Sequence, residues 1–160
     1  MADSTEPIWL SPAAARKLQD EYDLLTTSGR NEATDRIAEA RSHGDIRENA
    51  DYDAAKNEQG LMEARIRKLR HILDTAEIRE VAETDEVTVG CLVTVKDDDG
   101  DETEFFVAPQ ENKVRGLLLA SPSSPLGAAL MGGAVGDKVD YQAPGGVFTY
   151  EIVAIRPYEG

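Results

Sequence analysis

Two carboxylates three residues apart, Asp45 and Glu48, stand in the short stretch Gly44-Asp45-Ile46-Arg47-Glu48-Asn49. Side chains at that spacing share one face of a helix and can also converge in a turn. Two chemistries are open to them. As hard oxygen donors they suit Mg²⁺, which takes carboxylates, phosphate oxygens and water in an octahedral arrangement. As an Asp followed three positions later by a Glu they also form a capping box, where the positive end of a helix favours acids. On the residues alone, capping is the stronger reading. Two protein carboxylates are too few to hold Mg²⁺ tightly, so a metal is expected there only if another molecule completes the ligand set. Arg41, Arg47 and Lys56 flank the acids. They could meet phosphates or serve as solvated faces with local ion pairs. His43 lies at the edge of the stretch with no cysteine nearby, which suits a polar turn residue better than a zinc ligand.

The segments on either side of this stretch read as two arms of a helical hairpin. From residue 51 to 78, Tyr52, Ala55, Gln59, Met62, Ile66, Leu69, Leu73 and Ala76 recur by threes and fours, the seam of a coiled coil. At about 1.5 Å per residue this arm runs roughly 40 Å. The other arm starts near Ser11 with Pro12 at the first helical position, and Ala14, Leu18, Tyr22 and Leu25 share a face. Its seam then slips by one residue and resumes as Ala33, Ile37 and Ala40. The slip falls at Thr27-Ser28-Gly29-Arg30-Asn31, which predicts a break between two collinear helices, with Asn31 capping the second. Gly44 suits a left-handed cap at the end of that helix. The acidic stretch 44–49 thus becomes the tip of a rod.

Beyond Thr84 the texture changes to alternation with period two and short apolar runs. Val87–Val95 reads as a strand, Asp97-Asp98-Asp99-Gly100 as a hairpin turn, Thr103–Val107 as its return and Leu117–Ala120 as a further strand. Ser124 to Met131 has a cap, a proline at the first position and an apolar turn, hence a short helix. Val135–Tyr141 and Val147–Ile155, joined by Pro144-Gly145-Gly146, make a last hairpin. The organisation is α+β: an N-terminal antiparallel helical hairpin over 1–79, then an antiparallel β domain with one short helix over 80–160.

Charge narrows the partners. The 160 residues carry a net charge of −14, with a sequence pI of about 4.5. Residues 1–79 hold 16 acidic and 12 basic side chains, while residues 80–160 hold 15 and 5. General affinity for nucleic acid or an anionic membrane is therefore unexpected, and a protein with a basic surface fits better. Cys91 is the only cysteine, so no internal disulfide can form, and it reads as core. With no apolar run near the membrane-spanning length and no leader pattern, a cytoplasmic protein is expected.

The tip motif, its continuation as Ala50-Asp51-Tyr52, Ala54-Ala55-Lys56 and Glu58-Gln59-Gly60, and the later Ser124-Pro125-Leu126-Gly127, Val135-Gly136-Asp137 and Pro144-Gly145-Gly146 together resemble the Gre family of bacterial transcript-cleavage factors over nearly the whole chain. That resemblance implies an FKBP-like C-terminal domain that docks on RNA polymerase, with Ser124, Pro125 and Leu126 near the docking surface. It implies a hairpin threaded through the secondary channel, and a tip where Asp45 and Glu48 help hold a second Mg²⁺ of the polymerase centre and orient a water. The protein would then be no enzyme itself but would activate cleavage of backtracked nascent RNA. Arg41, Arg47, Asn49, Tyr52 and Lys56 match positions suited to RNA or tip positioning, though Tyr52 also falls on the seam. The small basic cluster suggests a preference for short extruded RNA. Asp53 stands where the family often has His, and with Asp51 it makes the tip unusually acidic, a trait of paralogues that inhibit polymerase. Two further classes are a peptidyl-prolyl isomerase, for which residues 80–160 offer no tryptophan and few aromatics, and a coiled-coil oligomer. A hairpin that buries its own seam argues instead for a monomer.

Overall fold

The computed structural model describes residues 7–44 and 49–159. They divide into two compact bodies: residues 15–75, and residues 1–14 together with 76–160.

The first body is the hairpin. Helix α1 (Pro12–Leu24) is capped by Ser11, whose Oγ accepts from the Ala14 amide at 3.0 Å. The first arm then continues through α2 (Arg30–Arg41), and the second arm is α3 (Ala50–Thr75). Ile37, Ala40, Ala55, Ile66 and Leu69 are buried along the seam, as the three-four spacing requires. Past Leu69 the buried position is Ile72, whereas the spacing predicts Leu73, which is half-buried. Ile72 and Leu73, three and four residues beyond Leu69, lie on either side of the same stripe, and Ile72 is the more covered of the two.

No break interrupts the first arm. Leu25–Gly29 forms a single π-helical turn, with right-handed helical backbone at Leu24, Gly29 and Arg30, and the Arg30 amide reaches back to the Leu25 carbonyl. A π turn accommodates one extra residue, which is the one-residue slip of the seam. The wider turn disturbs the normal pairing of the carbonyls before it. Thr26 Oγ1 donates to the Tyr22 carbonyl at 2.8 Å, Thr27 Oγ1 to Asp23 at 2.7 Å and Ser28 Oγ to Leu24 at 3.3 Å. Asn31 therefore lies inside a continuous helical path and caps nothing.

Charged pairs join the arms along their outer edges. Glu21 meets Arg65 with bidentate bonds of 2.7 and 2.8 Å, Glu63 meets Arg30 with two of 3.0 Å, and Arg36 pairs with Glu58. The hydrogen bonds from Arg65 hold the Glu21 carboxyl below its ordinary range, against the opposing effect of burial, and those from Arg30 do the same for Glu63.

The second body is a mixed sheet of order β5-β4-β3-β7-β6, built from β3 (Cys91–Lys96), β4 (Glu102–Val107), β5 (Leu118–Ala120), β6 (Lys138–Ala143) and β7 (Gly146–Pro157). All its pairs are antiparallel except β4 with β5. Val93, Val95, Val107, Ile152 and Leu130 form one buried cluster; Trp9, Leu92, Phe106 and Ala108 form another. Two strands begin three or four residues later than their sequences suggest. Gly90 has φ +99°, and a Cβ there would stand 2.2 Å from Val81, so the chain turns before β3 and the strand begins at Cys91 instead of Val87. Val135-Gly136-Asp137 is likewise a turn, closed by the Ala134 amide donating to Asp137 Oδ2 at 2.9 Å, so β6 begins at Lys138.

A two-residue strand absent from the sequence reading, β1 (Trp9–Leu10), pairs in parallel with β2 (Glu77–Ile78). The fully buried Asn112 fixes it: Asn112 Oδ1 accepts from the Ser11 amide at 2.8 Å and Nδ2 donates to the Trp9 carbonyl at 2.9 Å. The residues before α1 thereby join the sheet body.

Candidate functional site

The tip is built where α2 stops and α3 starts. Asp45, Arg47 and Glu48, with Ile46, lie outside the described residues. Gly44 leaves α2 with φ +128°, a value open to glycine. Asn49 is the cap of α3: its Oδ1 accepts from the Tyr52 amide at 3.1 Å, and its carbonyl accepts from the Asp53 amide. Its Nδ2 also donates to the carbonyl of Ala40 in the last turn of α2. One amide side chain thus satisfies an orphan N–H at the start of α3, adds a second donor to the Ala40 carbonyl beside the His43 amide, and ties together the two ends that carry the tip. Since Asn49 occupies the capping position of α3, that helix has no need of Asp45 and Glu48 as its cap.

The flanking charges are partly engaged. The Arg41 guanidinium lies 5.6 Å from the centre of the Tyr52 ring, a cation–π contact that holds both side chains at the mouth of the tip. Tyr52 is half-buried, as its place on the seam suggests. Lys56 Nζ donates to Gln59 Oε1 at 3.1 Å, one turn further along α3. His43 Nδ1 stands 3.7 Å from an Asp51 carboxylate oxygen, an exposed contact across the turn that the sequence reading did not pair. The only hint was the placement of both residues close to the two helix ends. Asp51 and Asp53 are exposed on the first turn of α3, where the helix dipole favours them. Among the described residues, no cluster of three or more His, Cys, Asp or Glu side chains could hold a metal ion.

In the sheet body, Ser124, Pro125 and Leu126 open a short helix, α4 (Pro125–Leu130). Ser124 Oγ accepts from the Gly127 amide at 3.1 Å and donates to the Ser121 carbonyl at 2.6 Å. Leu126 is half-buried against the Val93 cluster, and Pro125 is exposed. Gly127 is buried so closely that a Cβ would fall 1.8 Å from the Ser121 carbonyl oxygen. The segment is therefore a rigid ledge, presenting Pro125 outward.

Two family profiles cover this arrangement: "Transcription elongation factor, N-terminal" matches residues 8–78, and "Transcription elongation factor, GreA/GreB, C-term" matches residues 82–157. The chain belongs to the GreA/GreB family of transcription elongation factors. It is 38% identical over 165 residues to the transcription elongation factor GreA of Streptomyces coelicolor, with 100% of each chain covered. It is 46% identical over 142 residues to GreA of Thermotoga neapolitana, covering 87% of this chain and 90% of that one. Among solved structures, GreA factor homolog 1 (Gfh1) of Thermus thermophilus is similar at 28% identity and TM-score 0.45, covering 94% of this chain and 99% of that one. Among the described residues no helix is long and apolar enough to cross a membrane.

Proposed function

We propose that this elongation factor docks its sheet body on RNA polymerase and carries Asp45 and Glu48 into the polymerase active centre, where the polymerase's own machinery hydrolyses backtracked nascent RNA. The observation that carries the reading is the Asn49 tie, which joins the ends of α2 and α3 on either side of the acidic stretch and leaves that stretch free of capping duty for α3. The donor chemistry fits Mg²⁺ as part of a shared site: two hard carboxylates offered from outside, with phosphate and polymerase oxygens completing the set. When bound, the metal would stabilise charge on the scissile phosphate and lower the pKa of an attacking water. Asp45 and Glu48 contribute ligand oxygen and water orientation. Arg41 and Arg47 are the cations proposed to meet phosphates of the extruded RNA, and Asn49 keeps the two arm ends together.

The test is addition of the protein to stalled, backtracked elongation complexes, followed by a search for released 3′ fragments. Asp45→Ala or Glu48→Ala at saturating factor is expected to cut cleavage by on the order of 100-fold while competition binding to polymerase is retained. Unchanged cleavage by both variants overturns the assignment. The exposed Asp51 and Asp53 favour one other outcome, inhibition of polymerase without fragment release. Asp51→Ala with Asp53→His would then relieve it.

A further inference from the structure

We infer that the hairpin carries a built-in waist, a level at which both arms are softened so that the rod bends and the tip can be steered; the use of that bending rests on the function proposed above. On the first arm the waist is the π turn Leu25–Gly29, in which no residue is buried. On the second it is the stretch of α3 around Gly60. Gly29 and this stretch face one another: a Cβ at Gly29 would lie 3.3 Å from Met62 Sδ.

Gly60 is exposed, and a Cβ built on it meets nothing within 4 Å. No close approach demands a glycine there, and in a helix interior glycine weakens the helix relative to alanine. The π turn is dispensable to the seam in the same sense. Removing one residue from it leaves Ala33, Ile37 and Ala40 at spacings that an unbroken α-helix places on the same face as Ala14, Leu18, Tyr22 and Leu25. Between the two weak points the seam is thin. Gly29, Ala33 and Ala55 line a cleft of about 300 Å³, together with Gln59 and Met62, and a flexible methionine is the only long apolar side chain α3 contributes to it. Across this level the arms are held by the Arg30–Glu63 and Arg36–Glu58 pairs, which are exposed and can re-form after small displacements. Above and below it, buried Ile37 and Ala40, and Ile66 and Leu69, pack the seam.

Hydrogen exchange of the full chain, read by mass spectrometry, tests the waist without polymerase. Amides of residues 26–30 and 59–62 are expected to exchange on the order of 10-fold faster than those of 35–40 and 65–70. Gly60→Ala and deletion of Ser28 should each slow waist exchange by about 5-fold. Uniform protection along the hairpin, or no slowing in either variant, overturns the waist. In the backtracked-complex assay, the doubly stiffened variant should cleave several-fold more slowly at saturating factor, with competition binding to polymerase unchanged. Wild-type cleavage by that variant overturns steering. If the unaltered protein releases no fragments, the proposed function fails, while the exchange measurement still decides the waist.

Discussion

The hairpin and the sheet body are held together in opposite ways. In the sheet, Phe106, Val93, Val95, Val107, Leu130 and Ile152 have no exposed surface, and glycines at 90 and 127 are required because a single added carbon would strike a neighbour. Along the hairpin, among the described residues, only Leu69 is fully enclosed; Leu18, Ile37, Ile66 and Ile72 are buried but keep a little exposed surface, and the rest of the seam is alanines and half-buried side chains, supplemented by surface ion pairs and caps. The sheet body depends on volume and shape, so damage to it should be steep. The hairpin depends on many small terms, so damage should come in small steps, and bending is affordable.

That contrast can be broken at several strengths. Trp9, the single tryptophan, packs in the sheet body with Phe106 at 6.2 Å between ring centres, so its fluorescence reports that body, while ellipticity at 222 nm reports mainly α1–α3. Phe106→Ala should cost about 3–5 kcal/mol in the fluorescence-detected transition, with less than about 1 kcal/mol in the helical one. Equal losses by both probes would mean one cooperative unit and erase the distinction. Gly127→Ala should cost about 1–3 kcal/mol in the fluorescence transition, because the Cβ must displace the Ser121 backbone; a neutral result would show the ledge to be pliant. Asn49→Ala should cost about 1 kcal/mol in the helical transition and leave the fluorescence transition in place, with faster amide exchange at the ends of α2 and α3. The smallest effect is the pH dependence of the hairpin. The carboxyls of Glu21 and Glu63 titrate below their ordinary value of 4.5 when folded, so their contribution is present above that value and is lost as pH falls through the folded pKa. Helical stability should therefore be flat from neutral pH down to about 5 and decline below it. Glu21→Gln with Glu63→Gln should flatten the decline, and an unchanged acid profile would assign it elsewhere.

Much of this was legible in the residues, for a physical reason. Three-four spacing is the direct imprint of a buried helical stripe, so both arms and their shared seam could be read before any coordinates. The π turn could not: a one-residue slip is compatible with a broken helix or a widened one. The clue that discriminates, three consecutive hydroxyl side chains at Thr26, Thr27 and Ser28 able to satisfy displaced carbonyls, has meaning only once the backbone is seen. Strand β1 was invisible because two residues have no period, and the asparagine that secures it lies more than a hundred positions away. At the tip the motif was readable, and the resemblance gave it a chemistry. The division of labour was not, because Asn49 acts on Ala40, a partner nine residues back that no spacing rule singles out.

The pairing of Trp9–Leu10 with Glu77–Ile78 has a topological consequence. The chain enters the hairpin and leaves it through adjacent strands of the same small sheet, so the whole of α1, α2 and α3 is an insertion into the other body, with both ends stapled to one place. Such an excursion behaves as a cartridge. A hairpin from a related factor is expected to be exchangeable between Ser11 and Ala76, with Trp9–Leu10 and Glu77–Ile78 kept as the splice on either side.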